Sequence, residues 1–188
     1  PSVIAQAAAS RVAILASYFN RRVHLCHATT ALEITQIRIN MNSTVEVTPH
    51  HLFLDSSFEE KILDFHHVKP PLRSKEEVAG LWQNLHLIDC IGSDHAPHTI
   101  EEKKSGASGY PQLDTTMPLM LWALKKKLIE VNDIVRLCAD GPAKIFGLEK
   151  RGAIKVGNYA DFAIYDLSKK WKVRNSDLFT KCGWSPYE

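Results

Sequence analysis

Three side chains suited to metal chemistry stand at or near the ends of short apolar runs. They are His27, Glu46 and Asp94. In a parallel α/β architecture, successive strands bring their last residues to one rim, so we expect these side chains to converge. Imidazole and carboxylate groups bind zinc, and a carboxylate beside a metal can take a proton from an attacking water. The pattern therefore predicts a metal-dependent hydrolase site.

Helical and strand-like segments alternate along most of the chain. Apolar residues recur at helical spacing in residues 1–19, 31–41, 74–82, 115–127 and 131–139, and strand-like runs occupy residues 23–26, 44–47 and 85–91. Thr30 and Ser74 each precede a glutamate by three residues, which is the spacing of a helix-capping box. The alternation predicts βα units around a parallel sheet. Asp140-Gly141-Pro142 is expected to end the last helix.

The sequence pattern changes after Gly152 from helical spacing to short β-type runs. Residues 153–156 and 160–165 are short β-type runs that Gly157-Asn158 separates. We therefore predict a domain boundary near Leu148. Residues 1–148 would form part of a βα barrel, and residues 149–188 a small β-rich unit and tail.

Composition excludes several classes of protein. The net charge of the 188 residues is only +2, which does not favour a nucleic-acid surface, and no stretch reaches transmembrane length. The four cysteines are scattered without a Cys-x-x-Cys pair, so neither a disulfide scaffold nor a structural zinc knot is expected. A reducing compartment, the cytoplasm, is the simplest expectation.

Several motifs together resemble the dihydroorotase family, and its animal-type members in particular. The motifs are Val-His-Leu-Cys-His at 23–27, Glu-Val-Thr-Pro-His-His-Leu at 46–52, Val-Lys-Pro-Pro-Leu at 68–72 and Ser-Asp-His-Ala-Pro-His-Thr-Ile-Glu-Glu-Lys at 93–103. Residues 141–147 and 157–162 resemble the wider cyclic-amidohydrolase pattern, and residues 183–188 match the family's tail. The resemblance implies an α/β fold: the second half of a (β/α)8 TIM-type barrel, plus part of a small β unit.

The resemblance also implies a reaction, the reversible cyclisation of N-carbamoyl-L-aspartate to L-dihydroorotate and water. His27 would be a zinc ligand, and Asp94 would be both a second ligand and the catalytic base. His98 would bind the α-carboxylate of the substrate. Two zinc ions are expected in the complete enzyme.

Further substrate contacts follow from the same resemblance. Lys69 falls where animal-type members place a substrate-binding arginine; a lysine keeps the charge but loses the bidentate fork. Ser108 and Gly109 lie where backbone groups of a loop contact the substrate ring. Cys26 and Glu46 match positions that some members use for an additional zinc. The alternatives are a small buried apolar side chain for Cys26 and a hydrogen-bond acceptor for Glu46.

The other histidines are interpreted as supporting residues. His50 and His51 are expected to pack and form hydrogen bonds without binding metal, and residues 66–67 to lie in a solvated loop. His24 is interpreted as a satisfied core or edge imidazole. His95 is expected to orient Asp94 or a neighbouring strand.

Part of the family's site has no counterpart in the sequence. The His-x-His pair of the first barrel strand does not occur, and the bridging carboxylated lysine and a further histidine also belong to strands that are missing here. The chain begins at Pro1, so we expect the first barrel half to come from the same polypeptide or from another chain. A homodimer and an association with aspartate transcarbamoylase are both open.

Two other functions fit the same residues. One is a sister cyclic amidase, an allantoinase or hydantoinase, which would not need a carboxylate-binding role for His98. The other is a non-catalytic dihydroorotase-like scaffold for aspartate transcarbamoylase, which the missing ligands would explain.

Overall fold

A computed structural model describes residues 2–188 as helices packed on a three-stranded parallel sheet. The strands are β1 (Val23–Leu25), β2 (Ser43–Val47) and β3 (Cys90–Ile91), in that spatial order. His24 is opposite Thr44 in the first pair, and Glu46 is opposite Cys90 in the second. All three strands point the same way, so their carboxyl ends share one rim.

Nine α-helices accompany the sheet in residues 2–188. They are α1 (Ser2–Tyr18), α2 (Ala31–Ile37), α3 (Pro49–Phe53), α4 (Glu59–Ile62), α5 (Lys75–Gln83), α6 (Ile100–Lys104), α7 (Leu113–Lys125), α8 (Val131–Val135) and α9 (Gly141–Phe146). Short 3-10 turns lie at Ser56–Phe58, Leu63–Phe65, Leu85–Leu87 and Asn175–Asp177. None of these helices is long and apolar enough to cross a bilayer.

The predicted helix starts at Thr30 and Ser74 are confirmed. The Thr30 hydroxyl accepts a hydrogen bond from the Glu33 amide at 3.1 Å, and Ser74 caps α5 in the same way. Such caps satisfy amides that have no partner within the helix. The Glu33 carboxylate does not complete a capping box, however, because it accepts bonds from the amide and hydroxyl of Thr29.

The predicted strand at residues 85–91 is mostly wrong. Only Cys90–Ile91 pairs as a strand, and Leu85–Leu87 is a 3-10 turn. The amides of Leu87 and Ile88 donate backward to Asn84 and Leu85, so these donors are not available to a sheet ladder. β3 is therefore shorter than its apolar run.

The predicted break at Asp140-Gly141-Pro142 is also wrong. The chain stays helical from α8 through a π-helical turn, Arg136–Asp140, into α9. A π turn accommodates Pro142, which lacks an amide proton. Gly141 allows the close packing, because a Cβ atom there would collide with the carbonyl oxygen of Asp89.

The main core lies between the sheet and the helices. Its buried side chains come from one face of β2 and from the helices and loops around it: Ala13, Ala28, Ile34, Ile37, Val45, Val47, Leu52, Leu81, Leu85, Ile88, Met120, Ala123, Ile129 and Leu137. Burial of these apolar groups supplies the main driving force for the fold. Val45 and Val47 are fully buried, which makes β2 the central strand of the sheet in packing as well as in order.

A second apolar cluster joins the end of the chain to loops near the strand ends. Cys182 and Trp184 are buried there with Leu54, Val68, Leu72 and Tyr110. The Trp184 indole also donates to the carbonyl oxygen of His98 at 2.8 Å. The tail is therefore packed against the loops around the predicted site.

The β-type runs at residues 153–156 and 160–165 do not form strands. Within residues 149–188, all of which the structure describes, no strand is present. A strand needs a hydrogen-bonding neighbour, and the side chains of Val156 and Ile164 are almost fully exposed. The expectation of a β-rich unit is thus not met within these residues, and the boundary near Leu148 stays a prediction.

Candidate metal and substrate site

His27 lies just beyond β1, on a loop that is bonded to β2. The Ala28 amide donates to the Glu46 carbonyl at 2.9 Å. His27 has a positive φ of 39°, a conformation uncommon for residues other than glycine and enriched at functional sites. The hydrogen bonds around the loop hold the imidazole at the carboxyl end of the sheet.

A buried polar network fixes the same loop from the other side. The Arg73 Nε donates to the Thr29 hydroxyl at 2.9 Å, and that hydroxyl donates to the Glu33 carboxylate at 2.8 Å. Arg73, Thr29 and Glu33 are all buried. No sequence pattern links Arg73 to Thr29, because the two residues are 44 positions apart.

Asp94 occupies the corresponding place after β3. The Gly92 amide donates to the Val47 carbonyl at 3.0 Å, and Asp94 also has a positive φ, of 45°. Burial raises the pKa of the Asp94 carboxyl group; the nearby His27 opposes this shift and the Glu46 carboxylate adds to it. The side chains of His27 and Glu46 therefore lie close enough to the Asp94 carboxyl group to act on its charge at the rim of the sheet.

A cluster of possible ligand atoms lies beside this pair. The nitrogen, sulfur and oxygen atoms of His24, Cys26 and Glu46 lie within 4.8 Å of one another. His24 Nε2 is 3.2 Å from a Glu46 carboxylate oxygen, and the other ring nitrogen is 2.8 Å from the Thr44 hydroxyl. Cys26 is exposed, so the alternative of a small buried apolar side chain is wrong. Partial desolvation still raises the pKa of its thiol, and the charges of Glu46 and Asp94 raise it further.

These donors match the chemistry of zinc. Imidazole nitrogen, thiolate sulfur and carboxylate oxygen are its usual protein ligands, and a bound cation would relieve the crowding of negative charge around Cys26. The residues present therefore fit a zinc ion. The expectation that His24 is only a supporting imidazole leaves this cluster out. The available signal is its position two residues before Cys26, because alternate side chains of an extended segment face the same side.

His98 is held beside the rim by contacts on both sides. Its Nδ1 atom lies 3.4 Å from the Glu102 carboxylate, and its carbonyl oxygen accepts the Trp184 indole proton. Thr99 and Glu102 form a complete capping box that starts α6 directly after His98. The imidazole remains about one-third exposed, so a ligand can reach it.

The predicted substrate loops lie against each other. The Gly109 amide donates to the His67 carbonyl at 3.0 Å, two residues before Lys69. Gly109 has a φ of 133°, and a Cβ atom there would collide with the Ala96 side chain, so the loop can approach the 95–98 segment only with glycine at this position. Ser108 is partly exposed beside it.

His51 is buried and hydrogen-bonded as expected. Its ring nitrogens contact the Thr48 hydroxyl at 2.7 Å and the Pro70 carbonyl at 3.0 Å, and burial lowers its pKa to about 4. Burial also holds the pKa of His50 well below its usual value. His50 packs against Tyr110, but neither ring nitrogen has a hydrogen-bond partner within residues 2–188.

His95 has a different partner from the one expected. Its Nδ1 atom accepts from the amides of Gln112 and Leu113, at 2.9 and 3.2 Å. The imidazole therefore holds the start of α7, and no hydrogen bond to Asp94 is present among the described residues. The expectation that it orients Asp94 or a neighbouring strand is wrong, because its partners are backbone amides at the start of a helix.

Comparison with known proteins places these residues in a family. A sequence model described as "Amidohydrolase family" matches residues 17–181. A dihydroorotase from Archaeoglobus fulgidus is 44% identical over 167 residues, covering 89% of this chain and 41% of that protein. The multifunctional protein CAD of Squalus acanthias is 37% identical over 187 residues, covering 94% of this chain and 8% of that protein. The resemblance inferred from the motifs is thereby confirmed.

Solved structures agree with the fold that the resemblance implied. The L-hydantoinase of Arthrobacter aurescens superposes with a TM-score of 0.92 at 29% identity, over 97% of this chain and 44% of that one. A dihydropyrimidinase from Brevibacillus agri gives the same TM-score at 23% identity and supports the fold alone. The chain thus spans less than half the length of the relatives it matches, as part of a (β/α) barrel should. On its sequence and its fold, the chain belongs to the amidohydrolase family.

Proposed function

We propose that this chain forms part of a zinc-dependent dihydroorotase, which interconverts N-carbamoyl-L-aspartate and L-dihydroorotate plus water. The observation that carries the proposal is the placement of His27, Glu46 and Asp94 at or just beyond the carboxyl ends of the three parallel strands. Similarity to archaeal dihydroorotases along the chain supports the choice of reaction. Because the chain spans less than half of those proteins, the remaining barrel strands would come from further residues of the polypeptide or from another chain.

His27 and Asp94 would bind the zinc centre of the complete enzyme, which is expected to hold two ions. Cys26 and Glu46, with His24 beside them, would hold an additional ion. Bound zinc polarises the amide carbonyl of the substrate and lowers the pKa of water to about 7. Ligands that come from several strands of one sheet would hold such a centre rigidly.

Asp94 would act as the general base in ring opening. Its carboxylate takes one proton from the attacking water as the oxygen adds to the ring carbonyl carbon. When the carbon–nitrogen bond breaks, the same carboxyl group returns that proton to the departing nitrogen. Ring closure runs in reverse and begins with Asp94 protonated, a state that its burial favours.

Substrate would be recognised by groups around the rim. The exposed part of the His98 imidazole would bind the α-carboxylate, and Lys69 would add a positive charge on the facing loop. Backbone groups of the loop at Ser108 and Gly109 would contact the ring. The Gly109 amide and carbonyl already bond to His67 and Lys103, which fixes the loop and leaves the Ser108 peptide as its donor. A dihydroorotate ring presents carboxylate, imide and amide groups that suit these partners.

The test is an assay of the full-length protein with L-dihydroorotate, hydantoin and allantoin. We expect turnover of dihydroorotate alone, and we expect His98→Ala to raise its KM strongly because the carboxylate loses its partner. Lys144→Ala, an exposed lysine on α9, should leave KM unchanged. Absence of dihydroorotate turnover in a zinc-loaded preparation would contradict the proposal.

A hydantoinase is the second candidate, favoured by the close superposition on the Arthrobacter aurescens enzyme. Its substrates need not carry the carboxylate that His98 would bind. Cleavage of hydantoin together with indifference to His98→Ala would support this candidate over the first.

A non-catalytic role in an assembly is the third candidate. A scaffold partner of aspartate transcarbamoylase should carry well below one zinc per chain, which atomic spectroscopy measures directly. Both that association and a homodimer remain proposals. A cytoplasmic location is also proposed, because the four cysteines are unpaired among the described residues, as in a reducing compartment.

A further inference from the structure

Lys103 is fully buried, although the residues on either side of it in α6 are exposed. Its ammonium group donates to three backbone carbonyl oxygens: those of His67 at 2.6 Å, Ala107 at 2.8 Å and Gly109 at 3.1 Å. A lysine ammonium has three protons, so every donor is used. The side chain thus joins two loops from the interior.

Filling the space that Lys103 occupies does not require a charged side chain. Lys103 forms no ion pair within the described residues, and its other neighbours are the rings of Tyr110 and Trp184, at 5.4 and 5.3 Å. Burial lowers the pKa of the amine to about 8, which reflects the cost of removing the charge from water. An apolar side chain of the same length would fill the space without that cost. The contribution specific to lysine is its hold on the three carbonyl groups.

The two loops are those that carry the proposed substrate contacts. His67 lies two residues before Lys69, and Ala107 and Gly109 flank Ser108. The loop after α6 is also bonded to the segment that leads to His98, because the Ala96 amide donates to the Tyr110 carbonyl at 3.0 Å. Lys103 therefore lies behind the proposed substrate groups, with its ammonium group bonded to the backbone of both loops.

The orientation of one peptide group follows from these bonds. The Ala107 carbonyl and the Ser108 amide proton belong to the same planar trans peptide, so they point in opposite directions. Because the carbonyl points at the buried ammonium, the Ser108 amide proton is directed away from it. Among the described groups, which do not include the side chain of residue 64, that amide has no hydrogen-bond acceptor.

We propose that Lys103 is a positioning residue: by holding the Ala107 carbonyl inward, it keeps the Ser108 amide turned outward as a donor to the bound substrate. The inference rests on the proposed dihydroorotase function. It assigns Lys103 a part in substrate binding although the side chain does not touch the substrate. Loss of the ammonium would free the peptide to rotate, and binding of substrate would then have to order it.

The first test is Lys103→Met in the full-length protein, assayed for dihydroorotate hydrolysis. Loss of one well-oriented donor to a charged or imide group should raise KM about tenfold, with little change in kcat. A purely structural role would instead lower the melting temperature and the active fraction while leaving KM alone. Lys104→Met, at the exposed neighbouring position, is the matched control and should behave as wild type. A wild-type KM in Lys103→Met would overturn the inference.

Two further measurements keep the test decisive if Lys103→Met folds poorly. Ser108→Pro removes the amide proton itself while leaving Lys103 in place, and it should raise KM to a similar extent. In Lys103→Ala, added propylammonium should restore KM, whereas propanol should not. Unchanged KM in Ser108→Pro, or equal rescue by both additives, would count against the inference.

A wild-type protein without dihydroorotase activity would overturn the proposed function. An active wild-type protein whose variants keep the wild-type KM would overturn this inference alone.

Discussion

The carboxyl group of Glu46 occupies the space that a side chain at Gly92 would need. A Cβ atom on Gly92 would lie 2.5 Å from the Glu46 carboxyl carbon. The two residues belong to neighbouring strand ends, since β2 pairs with β3 just before Gly92. The missing side chain therefore lets Glu46 approach His24 and Cys26.

Gly92→Ala should weaken zinc binding at the cluster of His24, Cys26 and Glu46. The new methyl group displaces the end of a flexible side chain rather than backbone, so we expect a small change in stability. Disturbing one ligand in this way typically lowers metal affinity about 10- to 100-fold. Chelator-competition titration measures it. Gly80→Ala on α5, which meets only the Ala31 side chain at 3.3 Å, is the matched control. An unchanged titration of Gly92→Ala would argue that Glu46 does not bind metal.

His27→Ala should lower the zinc content of the purified full-length protein by about one ion per chain or more, because a ligand from the end of β1 is lost. Atomic spectroscopy measures the ratio of metal to protein. His86→Ala, at an exposed position in the 3-10 turn before β3, removes an imidazole of the same type and should retain full zinc. Equal zinc contents in the two variants would remove His27 from the ligand set.

Asp94→Asn should abolish most of the turnover, because an amide cannot take a proton from the attacking water. Loss of a general base typically lowers kcat about 10²- to 10⁴-fold. The measurement is steady-state hydrolysis of dihydroorotate by protein whose zinc content has been determined, so that loss of metal is separated from loss of the base. Asp177→Asn, at an exposed position in the last 3-10 turn, should retain wild-type kcat. Near-normal turnover in zinc-loaded Asp94→Asn would exclude the proposed base.

His51 should make the protein sensitive to mild acid. Its folded pKa of about 4 lies below the ordinary value of 6.5, so the unfolded chain binds more protons between these values. The stabilisation by neutral His51 is present above pH 6.5 and is lost as the pH falls towards 4. The full effect is about 3 kcal/mol, at 1.36 kcal/mol per pKa unit.

His51→Gln provides the check, because glutamine does not ionise. The free energy of unfolding of this variant should fall less than that of wild type between pH 6.5 and 4.5, as measured by denaturant titration at each pH. The exposed His86→Gln should keep the wild-type pH dependence. Parallel curves for His51→Gln and wild type would mean that His51 takes up equal numbers of protons in the folded and unfolded states, so that its pKa is not lowered by folding.

Much of the local structure could be predicted from the sequence. Thr30 and Ser74 start helices because their hydroxyl groups satisfy amides a few residues away, and this depends only on neighbouring positions. The apolar runs around Leu25 and Val45 form parallel strands, so the rim that carries His27 and Asp94 could be inferred from the order of elements. The family motifs added proposed roles for single residues, and these stay predictions.

Only the tertiary structure shows which distant groups meet. The contact between His24 and Glu46 depends on strand register, and the burial of Lys103 depends on loops that are brought together from residues 67 and 107–109. Residues 153–156 have strand-like side chains but no neighbouring strand within the described residues, so their local preference does not decide their structure. Local conformational preferences depend on neighbouring residues, so the sequence reveals them. Burial, strand register and the pKa of Asp94 depend on distant residues that packing brings into contact.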